Sequence, residues 1–237
     1  MEFSTGKIAH NYYVCIYGPP GVGKSTLCVS ADRSLFLDFE GGTLNLDANR
    51  VSNFETIEQI FDLLKTIVEG NELNSKFNTL VIDTIEIVEK MIFDFVAARH
   101  GKKSISDIPY GKGHDEAAEL MFQFLNLLSE VRNSGKNVII LAHEAIRKYE
   151  SPISGTYDRY VPKLHHKSLS YLHAKVDGVF FMSRDIVVSD GKAFTKNGRK
   201  IFTEETAHLI AKSRYDLPSE IIIRNEDDAL KFFNLLV

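Results

Sequence analysis

The chain has 237 residues, 44% hydrophobic and 25% charged, a balance that excludes a disordered polar chain and suits one large domain better than two cramped ones. With 28 Lys and Arg against 32 Asp and Glu, the formal net charge is −4, which excludes the bulk basic field of a general nucleic-acid binder and leaves only local patches for that role. No apolar run approaches the roughly 18 residues that span a bilayer, and residues 1–10 lack a signal-peptide layout, so no membrane partner and a cytoplasmic location are expected.

Tyr12–Tyr17 is a short, β-branched, apolar segment of the kind that forms a buried strand. It runs into Gly18-Pro19-Pro20-Gly21-Val22-Gly23-Lys24-Ser25-Thr26, which fits the spacing GxxxxGK(S/T) in the strand-to-helix context that this phosphate-binding motif requires. Cys15 and Cys28 make neither a CxxC pair nor a disulfide framework and read as core residues. A second strand, Leu35–Phe39, carries Asp38 and leads through Glu40 into Gly41-Gly42. Ile57, Ile60, Phe61, Leu64 and Ile67 then predict an amphipathic helix over Ile57–Val68. The third strand, Thr79–Ile82, closes on Asp83 and precedes a helix at Ile85–Phe95, and Leu120, Phe124, Leu127 and Leu128 predict another over Ala117–Val131. The fourth strand, Asn137–Ala142, ends at His143. Residues 100–114 and 144–168 are long, polar and non-periodic, and read as two large functional loops. Val176–Met182 is a fifth strand, Asp185–Thr203 an antiparallel hairpin around Asp190-Gly191 and Asn197-Gly198, Ala207–Lys212 a last strand and Asp227–Leu236 a closing helix. Strands alternating with helices predict an α/β fold, with a mainly parallel sheet covered on both faces and an antiparallel C-terminal extension.

The motifs lie at strand ends, where such folds bind ligands. The glycines of residues 18–26 allow backbone N–H groups to converge on a phosphate, Lys24 is expected to reach the β- and γ-phosphates, and Ser25 to ligate Mg²⁺. Asp83, closing an apolar strand, has the Walker B arrangement of a second Mg²⁺ ligand, with a turn or helix-capping acid as the plainer alternative. Thr84 follows it where many ring motors carry glutamate, so the base that activates water is sought elsewhere. Glu40 is favoured because it leads into the paired glycines; Asp38, one pleat away on the same side, stays open, as does a purely structural turn acid. His143 stands where a γ-phosphate sensor would sit, or caps a backbone carbonyl.

GPPGVGKST, LFLDFEGG, LVIDT and VIILAHE, in this order and spacing, resemble the RecA-fold P-loop ATPases. More narrowly, the chain resembles the phage-encoded, RecA-like single-strand-annealing proteins of the Sak-four type, often labelled AAA-domain or nucleotide-binding proteins. The likeness covers about residues 10–215 and includes Tyr110-Gly111-Lys112-Gly113, Val176-Asp177-Gly178 and Lys212-Ser213-Arg214-Tyr215-Asp216-Leu217-Pro218. It implies one RecA-like domain over 1–237 with the C-terminal hairpin and helix at about 185–237, ATP as the nucleotide, and a bacterial or phage-infected host cytosol. The last segment resembles the Lys-x-Arg element of RadA-type recombinases and replicative hexameric helicases. That likeness implies that Lys212 and Arg214 act on the γ-phosphate of a neighbouring subunit in a ring or filament; edge-strand protection is the alternative. The family also places DNA-binding loops at the two polar stretches. Arg99, Lys102, Lys103, Tyr110 and Lys112 lie in or beside the first, and Arg147, Lys148, Tyr149, Tyr157, Arg159, Tyr160, Lys163 and Lys167 in the second. Bases interleaved with aromatics suit single-stranded DNA, although Glu144, Glu150 and Asp158 dilute the second stretch and ordinary solvated loops are the alternative.

The resulting expectation is an oligomeric, Mg²⁺-dependent ATPase acting on single-stranded DNA in phage-type recombination or annealing, with a single-strand-binding protein as a further partner. No terminal oligomerisation or duplex-handling domain of a full recombinase is evident, so annealing is expected rather than strand exchange. The alternative is a nucleotide-dependent switch that recruits a replication or packaging protein without touching DNA. A small-molecule P-loop kinase is a third reading, without an obvious lid segment.

Overall fold

A computed structural model describes residues 5–6, 10–189 and 192–237. Its centre is β1 (Tyr13–Gly18), six buried residues hydrogen-bonded in parallel to β5 (Asn137–Ser151) on one side and β7 (Gly178–Ser189) on the other. Beyond β5 follow β4 (Thr79–Asp83), β2 (Ser34–Asp38) and β3 (Asn49–Val51), all parallel. Beyond β7 the sheet turns antiparallel through β8 (Lys192–Phe202) and β10 (Glu220–Ile223). The order is thus β10-β8-β7-β1-β5-β4-β2-β3, with β6 (Gly155–Pro162) on β5 and β9 (Lys212–Ser213) on β7. This is the expected mixed α/β architecture.

Alternation along the central strands sorts their side chains onto two faces. Tyr13, Cys15, Tyr17, Leu37, Ile82 and Ile140 share one core with α2 (Ile57–Glu69), α3 (Ile85–Arg99), α4 (Lys112–Asn133) and α5 (His166–Lys175). Val14, Ile16, Phe36, Val81 and Ile139 share the other with α1 (Lys24–Val29) and α6 (Glu226–Asn234). Both cysteines are buried and free, as expected. Thr56 starts α2 with a capping box, its hydroxyl accepting from the Gln59 N–H while the Gln59 side chain reaches back.

Four expectations change. Residues 144–168 are not a loop: β5 continues past the sheet and pairs with β6 as a two-stranded ribbon from Glu144↔Pro162 to Ser151↔Gly155, followed by α5. Residues 100–114 hold two short 3-10 turns, pinned by buried Ile105 and Ile108, and α4 begins at Lys112, well before Ala117. Asn197 and Gly198 lie within β8 rather than in a turn, while Asp190-Gly191 falls outside the described residues. Ala207–Lys212 gives only the two-residue β9, plus an isolated bridge from Leu209 to Tyr160.

Candidate functional site

The carboxyl ends of β1, β2 and β4 meet His143, where β5 leaves the parallel sheet, at one edge and carry the motifs with them. Gly18 ends β1 where a Cβ would lie 2.0 Å from the Met182 carbonyl oxygen, so the neighbouring strand requires a bare backbone there. Gly23 starts α1 with a left-handed φ of 98°, and a Cβ on it would strike the Arg199 guanidinium at 2.6 Å. Lys24, which follows Gly23, is buried, its Nζ donating to the carbonyls of Gly18 at 2.8 Å and Pro19 at 3.1 Å. Burial pulls its ammonium below the usual lysine range, against the opposing pull of Glu144, Glu86, Asp83 and Glu40.

Ser25 Oγ donates to Asp83 Oδ2 at 2.6 Å, joining the phosphate motif to the end of β4. Burial pushes the Asp83 carboxyl up to about 6; the Ser25 bond and Lys24 oppose this, and the Asp38 and Glu40 charges add to it. A buried carboxylate with a hydroxyl at hydrogen-bond distance is an all-oxygen donor pair, the kind that Mg²⁺ accepts. The Asp83–Thr84 peptide is cis.

Asp38 and Glu40 separate clearly. Asp38 is buried, and its Oδ1 accepts the N–H groups of Glu40, Gly41 and Gly42 at 3.2, 2.8 and 3.2 Å. Its Oδ2 takes the Thr43 N–H at 3.0 Å and the Thr43 hydroxyl at 2.5 Å. Burial raises this carboxyl, but the bonds from Thr43, Gly41 and Glu40 outweigh it and hold it below the ordinary range. Glu40 is exposed and accepts from Thr84 Oγ1 at 3.1 Å. His143 lies at the end of the parallel part of β5, opposite Gly18. Its backbone N–H and its Nδ1 both meet Glu86 Oε1, the former at 3.1 Å. Lys24, Ser25, Glu40, Asp83, His143 and Arg199 line one cavity of about 420 Å³.

Two of these neighbours were not anticipated. Glu86 sits in the first turn of α3, three residues after Asp83, where an acid reads as an ordinary helix-start residue. Arg199 comes from β8, and no local pattern announces its approach to Gly23.

Lys212 and Arg214 lie elsewhere. β9 pairs with the first residues of β7, the sheet end away from the phosphate motif. Lys212 Nζ donates to the His173 carbonyl, and Arg214 is ion-paired with Asp177 at 2.8 Å. Burial, then Arg214, pulls the Lys212 ammonium down. Neither residue lines its own chain's phosphate cavity.

Of the basic and aromatic residues expected to meet nucleic acid, Lys102, Lys103, Lys112, Lys148 and Lys163 are exposed, and Tyr110 is 95% exposed. Arg147 donates to the Leu164 carbonyl and Lys167 pairs with Asp115. Arg159 departs from the expectation: it is 7% exposed, paired with Glu205, and lies over the Tyr149 ring at 4.8 Å. Its position in the ribbon turns it inward, so it braces the β6 side instead of offering a charge to a ligand.

A family model described as the AAA domain matches residues 10–215. The chain belongs to the AAA-domain family. Membership makes it a P-loop protein of the nucleotide-binding AAA class. Comparison with curated proteins gives no match. Among the described residues no helix is long and apolar enough to cross a membrane.

Proposed function

We propose that this AAA-domain protein is a Mg²⁺-dependent ATPase that assembles on single-stranded DNA in phage-type recombination or annealing. The observation that carries the reading is the meeting of Lys24, the Ser25–Asp83 pair, Glu40 and His143 around one cavity. Lys24 and the loop backbone hold the β- and γ-phosphates. Ser25 and Asp83 would hold Mg²⁺, which would supply charge neutralisation at the phosphate oxygens. Glu40 orients a water and takes its proton as the new O–P bond forms at the γ-phosphorus; the bond to the β–γ bridging oxygen breaks, and ADP and inorganic phosphate leave. Glu40 suits this role better than Asp38, whose two oxygens are occupied by the 40–43 turn. His143, oriented by Glu86, donates to the γ-phosphate, and Arg199 adds a cation from the same chain over Gly23.

Lys212 and Arg214 point the reading toward oligomers. They stand at the far sheet end from their own cavity, so phosphate contact from them requires a neighbouring subunit. Exposed Lys102, Lys103, Tyr110 and Lys112 on one segment, with Lys148 and Lys163 on or beside the ribbon, supply phosphate contacts and a stacking ring for single strands. Titrating a labelled oligonucleotide at several salt concentrations tests this: a steep fall of affinity with salt is expected, and absence of binding at low salt contradicts it. One observation favours a nucleotide-dependent protein switch as the second reading, the 96% exposed Ile153 at the ribbon tip, with Ile146 also exposed nearer the ribbon's base.

A further inference from the structure

We propose that Glu40, Glu86 and His143 hold a second divalent ion, of the Mn²⁺ or Fe²⁺ class, separate from the Ser25–Asp83 pair. One ligand atom from each of the three lies within 4.8 Å of the other two. The three side chains come from the loop after β2, the first turn of α3 and the end of the parallel part of β5. Parallel pairing of β2 and β5 with β4 fixes these elements against one another, so the cluster does not depend on a mobile loop alone.

The hydrogen bonding of the cluster is incomplete. Glu86 Oε1 takes both the N–H and Nδ1 of His143, but Glu86 Oε2 is buried and has no hydrogen-bond partner. A buried carboxylate oxygen left unpaired is costly, and a second carboxylate close by raises that cost unless a cation lies between them. Lys24 acts on both Glu86 and Glu40 through its charge, but its hydrogen bonds go to the Gly18 and Pro19 carbonyls and leave Glu86 Oε2 without a donor. Glu40, exposed on the cavity wall, already brings a carboxylate oxygen within 4.8 Å of the other two donors.

The donor types decide the class of ion. An imidazole nitrogen with two carboxylates suits Mn²⁺, Fe²⁺ and their neighbours, whereas Mg²⁺ takes oxygen ligands and is served by Ser25 and Asp83. The two sites therefore select different ions within one cavity. This inference goes beyond hydrolysis and is tested without nucleotide, since an ion here draws on the same Glu40 carboxylate and His143 ring that the hydrolysis reading uses.

The test is Mn²⁺ binding to the nucleotide-free full-length protein in excess Mg²⁺, followed by electron paramagnetic resonance with spin-echo detection of nitrogen coupling. The expected result is one Mn²⁺ retained per chain, coupled to one imidazole nitrogen. Glu86→Gln weakens retention at least about tenfold, His143→Gln removes the coupling, and Asp83→Asn leaves both in place. Nitrogen coupling in the unaltered protein needs no variant to fold, and it is specific because neither Ser25 nor Asp83 offers nitrogen. No retention in excess Mg²⁺, or retention without nitrogen coupling, overturns the proposal and leaves Glu86 and His143 as a hydrogen-bonded pair. Retention lost in Asp83→Asn and kept in Glu86→Gln overturns it equally, by assigning the ion to the Ser25–Asp83 site.

Discussion

Asp38 closes β2 and Glu40 follows two residues on, and their carboxylates have opposite surroundings. Asp38 is buried under five donors from residues 40–43, while Glu40 faces the phosphate cavity with one bond from Thr84. Asp38→Ala strips a turn of its acceptors and is expected to cost about 2–4 kcal/mol in urea unfolding. Glu40→Gln is expected to keep unfolding within about 0.5 kcal/mol of the parent while ATP turnover falls at least about a hundredfold. A fully active Glu40→Gln protein would remove Glu40 from the chemistry.

Burial raises Asp83 to about 6, so the folded protein holds that proton at pH values where the unfolded chain has released it. The sign follows from linkage: stability without metal declines as pH rises from about 4 to about 6 and stays reduced above that. Asp83→Asn is therefore expected to stabilise the metal-free protein at pH 7 by on the order of 2 kcal/mol, with no gain near pH 4. Added Mg²⁺ should reverse the order above pH 6, because only the parent carboxylate binds it. Unfolding curves at pH 4 and pH 7, with and without Mg²⁺, check both statements.

Arg214 is half-exposed and pairs with the buried Asp177, which keeps a second partner in Arg132 when the Arg214 guanidinium is removed. Arg214→Ala is expected to fold and bind nucleotide normally but to lose turnover. Mixing it with Lys24→Ala subunits should restore part of the rate, since some interfaces then pair an intact phosphate motif with an intact Arg214. Unchanged turnover in Arg214→Ala alone would assign the residue to the Asp177 pair and nothing more.

Tyr110 and Arg159 are expected to part company on mutation. Tyr110, almost wholly exposed, should lose about 1–3 kcal/mol of oligonucleotide binding as Tyr110→Ala with no change in stability. Arg159→Ala should destabilise the ribbon, because its guanidinium is buried against Tyr149 and Glu205. Thermal unfolding and oligonucleotide titration on both variants separate the two effects.

The phosphate motif, the strand end at Asp83 and the apolar run into His143 were legible because each depends on a few adjacent residues and a continuous apolar strand, although β5 runs on past His143 to Ser151. The β5–β6 ribbon was not: Arg147, Lys148, Tyr149 and Glu150 face Arg159, Asp158, Tyr157 and Thr156, so polar residues stand on both faces and the period-two signal vanishes. Its inward turn at Arg159 comes from tertiary packing against Tyr149 and the 205–209 segment. Arg199 reaches Gly23 only because β8 folds back beside β7, a long-range event with no local mark. Glu86 had a visible position but a common one, and its meaning rests on the approach of His143 from another strand.

Steady-state ATP hydrolysis with Mg²⁺, measured alone and with single-stranded or duplex DNA across a range of protein concentrations, tests the account most directly. Stimulation by single strands that rises cooperatively with protein concentration is the predicted result, since it requires both the DNA-facing residues and a cavity completed by a neighbour. A rate indifferent to DNA and to concentration would contradict it and leave a P-loop nucleotide binder acting as a switch.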